Sequence, residues 1–139
     1  MAKDFTAYLD DSGHPSDREM VVVAGLLASQ EQWLLLEAEW RAALHRVGLD
    51  YFHMADFEAG HGDYQHVSGS DRESLPTRLA NIIRVRSRCS YCSMVPMDSY
   101  RQVNAEWALE ECIGTPYALA GGNVVKELVK WGDRNLGNL

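Results

Sequence analysis

Two adjacent carboxylates, Asp10 and Asp11, follow the apolar run Phe5 to Leu9, and a second apolar run, Met20 to Ala28, comes after Gly13-His14-Pro15-Ser16-Asp17. Hard divalent cations such as magnesium take carboxylate oxygens and keep several waters. An acid pair where a strand ends is a place for such an ion. Side chains alternate along a strand, so the two acids point to opposite faces. Adjacent acids also repel unless a cation or a donor is near. The plain alternative is a pair of solvated turn formers, because Asp and Ser are ordinary turn residues.

Further groups extend the set. Asp98 follows a later strand-like stretch and converges with Asp10 if the two strands are neighbours; its other reading is a helix cap. His53, Asp56, Glu58, His61, Asp63 and His66 crowd one short segment. Imidazole with carboxylate suits zinc, manganese or iron, although the spacing matches no metal signature. His53 and Asp56 are three apart and share a face in a helical turn. Cys89-Ser90-Tyr91-Cys92 is a Cys-x-x-Cys within a strand pattern, where its thiols face opposite sides. The odd count of three cysteines suggests no disulfide framework. No phosphate-cradling loop, nucleophile elbow or dinucleotide fingerprint is present.

The elements that must position these groups are read from periodicity and punctuation. Phe5 to Leu9 and Met20 to Ala28 form an antiparallel hairpin with a loose turn. Ser29 to Gln32 is a capping-box pattern. Trp33, Leu36, Trp40, Leu44 and Val47 then mark one helical face ending at Gly48. Asp50 to Glu58 reads as a brief strand entering a helical turn, and Ala59 to Gly69 as a surface loop. A helix from about Glu73 to Arg86 is expected with Ser74 as its N-cap, which keeps Pro76 in the first turn. Ser90 to Val95 reads as a strand ended by Pro96. Asp98 is expected to cap a helix reaching about Glu111. Thr115-Pro116 opens a last helix with the stripe Tyr117, Ala120, Val124, Leu128 and Trp131, ending at Gly132. Gly121-Gly122 inside it suggests close approach of another backbone, or a kink.

Composition sets bounds. At 139 residues, 46% hydrophobic and 24% charged, the chain suits one domain over residues 1–139 with a real core. No run of about 18 apolar residues would span a membrane. The start Met-Ala-Lys-Asp-Phe lacks a signal-peptide pattern, so a cytoplasmic location is expected. A net charge of −7 argues mildly against a nucleic-acid grip. The best basic group is Arg78, Arg84, Arg86 and Arg88, with Arg84 and Arg88 on one face if the helix runs that far.

The order Tyr8-Leu9-Asp10-Asp11-Ser12-Gly13, then Val21 to Leu27 with Ala24-Gly25, then a long helix, then Tyr51-Phe52-His53-Met54, resembles the bacterial and archaeal family called domain of unknown function 3800. That family opens on a strand ending Asp-Glu-Ser-Gly, so position 11 departs from it. The resemblance implies a mixed α/β (or α+β) fold of ribonuclease H-like type, with an N-terminal antiparallel hairpin and flanking helices. It also implies a further strand and helix beyond Leu139, so the chain is expected to be an incomplete family domain. An open sheet edge is then expected to promote self-association. In the superfamily a first-strand Asp binds catalytic metal. The implied function is divalent-metal-dependent phosphodiester hydrolysis on nucleic acid, with Asp10, Asp11 and His53 catalytic, His53 facing the cleft of Asp10. Mg2+ or Mn2+ would be held by Asp10, Asp11, Asp56 and Asp98. The other reading is a non-catalytic interaction or regulatory domain.

Overall fold

The computed structural model describes residues 4–12 and 19–136. The turn residues Gly13 to Asp17 and the end of the tail, residues 137–139, lie outside the described part. The chain is mixed α/β, and its contacts divide it into two compact units. One is Gln30–Ser87, and the other is formed by the segments on either side of it.

The flanking unit is built on a three-stranded antiparallel sheet, in which β1 (Phe5–Ser12), β2 (Met20–Ser29) and β3 (Cys89–Pro96) stand in that order. Phe5 lies opposite Ser29 and Ser12 opposite Val22; across β2, Met20 lies opposite Pro96 and Leu27 opposite Cys89. β1 is three residues longer than its apolar run, so the acids lie within the strand and not at its exit. After β3 come α4 (Met97–Trp107), the single turn α5 (Leu109–Cys112) and the long α6 (Pro116–Leu136). α6 begins where Thr115 Oγ1 accepts the Ala118 N–H at 3.3 Å, and it runs four residues past Gly132.

α6 covers one face of the sheet. Its Ala120, Val124 and Leu128 bury against Val23, Leu27, Val95 and Tyr100, with Phe5, Tyr91, Tyr117 and Trp131 at the margin. The close approach is at Gly25, not at the helix glycines. A Cβ on Gly25 would lie 2.6 Å from Val124 Cγ1 and 3.2 Å from Leu128 Cδ1, whereas one on Gly121 or Gly122 would meet nothing within 4 Å. The expected helix from Asp98 to Glu111 is broken instead. Ala108 takes a left-handed conformation, and the Asn104 side chain accepts the Glu110 N–H at 2.7 Å. Those local bonds replace the helical ladder there. The N-cap is Pro96, two residues before the expected Asp98 cap, and Met97 is buried at the first helical position.

The unit Gln30–Ser87 has its own core. α1 (Gln30–His45) and α3 (Gly69–Arg86) pair through Ala43, Leu44, Leu75, Leu79 and Ile82, and Leu49, Phe57, Tyr64 and Val67 complete the cluster. Between them lie α2 (Met54–Ala59) and a 3-10 turn, Gly62–His66. No strand forms at Asp50 to Glu58; the extended His53 gives its N–H to the Tyr64 hydroxyl instead of a strand partner. Nor is Ala59 to Gly69 a plain surface loop, since Tyr64 is 1% exposed. α3 starts at Gly69 with Ser68 as its N-cap, which puts Pro76 in the helix interior. Burial of Leu75 and Leu79 on either side outweighs the hydrogen bond that Pro76 cannot donate. α3 stops at Arg86, so Arg84 and Arg88 share no helical face. Arg86 itself bonds both Glu39 carboxylate oxygens from across the unit.

Two outcomes are expected. Gly25→Ala should lose about 1–3 kcal/mol in urea unfolding, because the buried Val124 and Leu128 side chains would have to shift; unchanged stability would mean that α6 does not seat on β2 this closely. Glu39→Gln should weaken the unit at neutral pH. The Arg86 hydrogen bond holds the Glu39 carboxyl below its usual pKa. Its contribution is therefore complete above the ordinary glutamate range and fades as pH falls through the lowered value. Melting curves of wild type and variant should converge in acid; a gap that persists there would refute the pairing.

Candidate functional site

The register decides where the two acids point. Directly opposed residues of an antiparallel pair share a face. Asp11 lies opposite Val23, which is buried beneath α6, and Asp10 lies opposite Ala24, which is exposed. Asp11 and Leu9 therefore face the helix side and Asp10 the open side, as alternation requires. The Asp10 Oδ1 accepts the Asp11 backbone N–H at 3.0 Å. Among the described residues neither carboxylate has an ion-pair partner.

Among the described residues β1 is an edge strand, and beside it opens a groove of about 370 Å³ lined by Leu9, Asp10, Asp11, Val23, Tyr117 and Gly121. Leu9, Val23 and Tyr117 make part of its lining apolar and aromatic, and Asp10 and Asp11 make part of it acidic. The groove exists because α6 sits over β2 and β3 and reaches β1 with few side chains. Gly121 contributes by having none. Sequence reading did not single out Tyr117 and Gly121 as groove residues; the available signal was the small residue on the helix flank one turn beyond Tyr117.

Asp98 does not join this pair. β2 lies between β1 and β3, so the strands that carry Asp10 and lead to Asp98 are not neighbours and stand about 10 Å apart. Asp98 sits in the first turn of α4, where its carboxylate accepts from Arg101 Nη1 at 3.2 Å.

His53 and Asp56 belong to the other unit, and the structure does bring them together: His53 Nδ1 and Asp56 Oδ2 are 2.7 Å apart. His53 precedes α2 and Asp56 is in its first turn, so one helical turn spans the pair. A carboxylate on one ring nitrogen fixes the orientation of an imidazole and leaves the other nitrogen for chemistry. The frame beneath is polar and rigid. Tyr64 Oη accepts the His53 N–H at 2.8 Å and lies 3.4 Å from the Tyr51 carbonyl. Arg72 lies over the Phe57 ring, 4.9 Å from its centroid, and donates to the carbonyls of Phe57, Glu58 and Tyr64. Gly60, left-handed at the end of α2, turns the chain toward Arg72. The Tyr51 phenol is pushed above its usual range by the neighbouring Tyr64, by desolvation and by the Asp63 and Asp56 carboxylates. Sequence reading missed Tyr64 and Arg72; an aromatic inside a Gly- and His-rich stretch was the available clue.

Among the described residues no group of three or more His, Cys, Asp or Glu side chains gathers as a metal shell, so His61, Asp63 and His66 do not close around His53. Cys89 and Cys92 fall on opposite faces of β3 and are not bonded to each other. Burial pushes the Cys89 thiol above its usual pKa. The raised pKa disfavours the thiolate that redox chemistry needs.

Tyr64→Phe should cost about 1–3 kcal/mol, since it leaves the His53 N–H without its partner in a part-buried position. The His53 amide should also exchange faster with solvent. Retained protection at that amide would show that the phenol does not anchor the dyad. No protein-family model, curated protein or solved structure matches this chain, so the reading of its function rests on the geometry of the two acids, the groove and the His53 dyad.

Proposed function

We propose that the chain is a divalent-metal-dependent phosphodiester hydrolase of nuclease type on a ribonuclease H-like scaffold, with Asp10 and Asp11 as its metal-facing acids. The observation that carries this reading is the position of the two carboxylates. They stand within a regular edge strand, beside a groove, with no cation near them among the described residues. Turn formers would lie outside the strand.

The donor chemistry fits Mg2+ or Mn2+, which prefer hard oxygens and retain water in the remaining positions. Because the acids face opposite sides of β1, each offers one carboxylate to an ion on its own side. Asp11 would hold an ion at the groove mouth and Asp10 one on the open face. When bound, such an ion supplies an activated water and neutralises charge at a phosphate. Asp10 and Asp11 would otherwise repel a phosphodiester. Leu9, Val23 and Tyr117 give the groove an apolar lining on which a base can rest. Within its own unit, His53 is oriented by Asp56 and keeps its second ring nitrogen for proton transfer.

Calorimetric titration of Mn2+ should show binding to wild type and at least about tenfold weaker binding to Asp10→Asn and Asp11→Asn. Metal-dependent cleavage of single- and double-stranded oligonucleotides should fall in the same variants. Equal Mn2+ affinities in all three proteins would remove both acids from the site, and absence of cleavage by metal-loaded wild type would remove the nuclease reading.

A further inference from the structure

We propose that the groove between β1 and α6 is a base-binding subsite. It takes one unstacked base of a single-stranded nucleic acid against the ring of Tyr117, so that single strands, and not duplexes, are the substrate. The subsite rests on the hydrolase reading for its part in the reaction; binding of the base does not require that reading.

Three observations meet there. The first is the place of the groove. It lies on the α6 side of the sheet, over Val23 of β2, and Leu9 and Asp11 share that face of β1. Val23 is 6% exposed and Leu9 42%, so the groove runs from packed core to open surface. The second is the helix flank. Tyr117 and Gly121 are four apart and stand on one side of α6. Tyr117 is half-buried and packs at the margin of the core, which holds its ring. A Cβ on Gly121 would meet nothing within 4 Å, so the space one turn beyond the ring is open. The volume of about 370 Å³ is small for a ligand site, where roughly 300–1,000 Å³ is usual, and suits a single base.

The third is charge, and it selects the occupant. The chain has a net charge of −7, and the described residues lining the groove include two acids and no lysine or arginine. Proteins that track a duplex draw much of their affinity from cations set against phosphates. This groove offers no such contact. Stacking on an aromatic ring is the contact it does offer, and every base has a face for it. A base in a duplex is paired and stacked on both sides. It reaches Tyr117 only after flipping out, at a cost that a single strand is largely spared.

The probe is adenosine, which carries a base and no phosphate. Titrated to millimolar concentration in EDTA against the full chain labelled for amide NMR, it should shift the resonances of Leu9, Val23, Tyr117 and Gly121. In Mg2+, a single-stranded oligonucleotide should be cleaved with a KM at least about tenfold below that of the same sequence as a duplex. Tyr117→Leu and Gly121→Leu should each abolish the adenosine shifts and raise the single-strand KM about tenfold, with Mn2+ affinity unchanged. Tyr117→Phe should match wild type, because stacking uses the ring and not the hydroxyl. Gly121→Leu meets no protein atom at its Cβ, so its fold should persist even if Tyr117→Leu fails to fold. The proposal is overturned if adenosine leaves these resonances unmoved, if single strand and duplex are cleaved equally, or if Gly121→Leu binds adenosine like wild type. Adenosine in the groove with no cleavage of any strand would fail the hydrolase reading alone; metal-dependent cleavage with unmoved groove resonances would fail this one alone.

Discussion

The missing side chain at Gly25 governs the flanking unit. Val124 and Leu128 of α6 descend to a distance that any Cβ at that position would forbid. Once α6 is seated there, the face of β2 bearing Val23, Gly25 and Leu27 is the covered face. The register then carries that choice across to β1, where Leu9 lies opposite Gly25 and Asp11 opposite Val23. A one-residue slip would exchange the roles of Asp10 and Asp11, because the side-chain period is two. The position of the helix also leaves the groove. A helix centred on β2 and β3 overhangs β1 without filling the space beside it.

The same alternation limits what the acid pair can do. Two neighbours in a strand cannot chelate one ion as two carboxylates on a helical turn can, since they sit on opposite sides of the sheet. Each acid must act with partners other than its neighbour: water, a substrate phosphate, or a cationic side chain. The His53 and Asp56 pair is the contrasting case. Three residues apart across the start of a helix, they meet at 2.7 Å, and the imidazole is held by a side chain instead of by burial. Its rigidity is borrowed from below, where Tyr64 and Arg72 satisfy backbone groups that α2 and the 3-10 turn leave open.

What could be read from the sequence was what periodicity controls. The stripe Tyr117, Ala120, Val124, Leu128 and Trp131, the strand cores, the opposed thiols of Cys89 and Cys92, and the three-residue reach from His53 to Asp56 follow from repeat lengths of 3.6 and 2. The failures lie where tertiary contact overrides local preference. Asp10 and Asp11 are poor strand formers, yet pairing with Ala24 and Val23 extends β1 through them. Pro76 made Ser74 look like the start of α3, yet apolar burial on both sides carries the helix back to Gly69. The stretch around Tyr64 has loop composition, and only the aromatic cluster with Phe52 and Phe57 reveals it as core. The close approach expected at Gly121-Gly122 occurs at Gly25, because a glycine's use depends on what faces it.

The division into two units has a physical logic of its own. β2 and β3 are neighbours in the sheet but are separated in sequence by the whole of Gln30–Ser87. An unstructured connection of that length would oppose their pairing with loop-closure entropy and slow it. The connection is not unstructured. α1 and α3 pack on each other, and Arg86, the last residue of α3, bonds Gln32 in the first turn of α1 and Glu39 in its second half. The two ends of the inserted unit are therefore held close by its own contacts. The next backbone bond, from the Arg88 N–H to the Leu27 carbonyl at 2.7 Å, already belongs to the sheet. With its two ends held close, the insertion lowers the loop-closure cost of pairing β2 with β3.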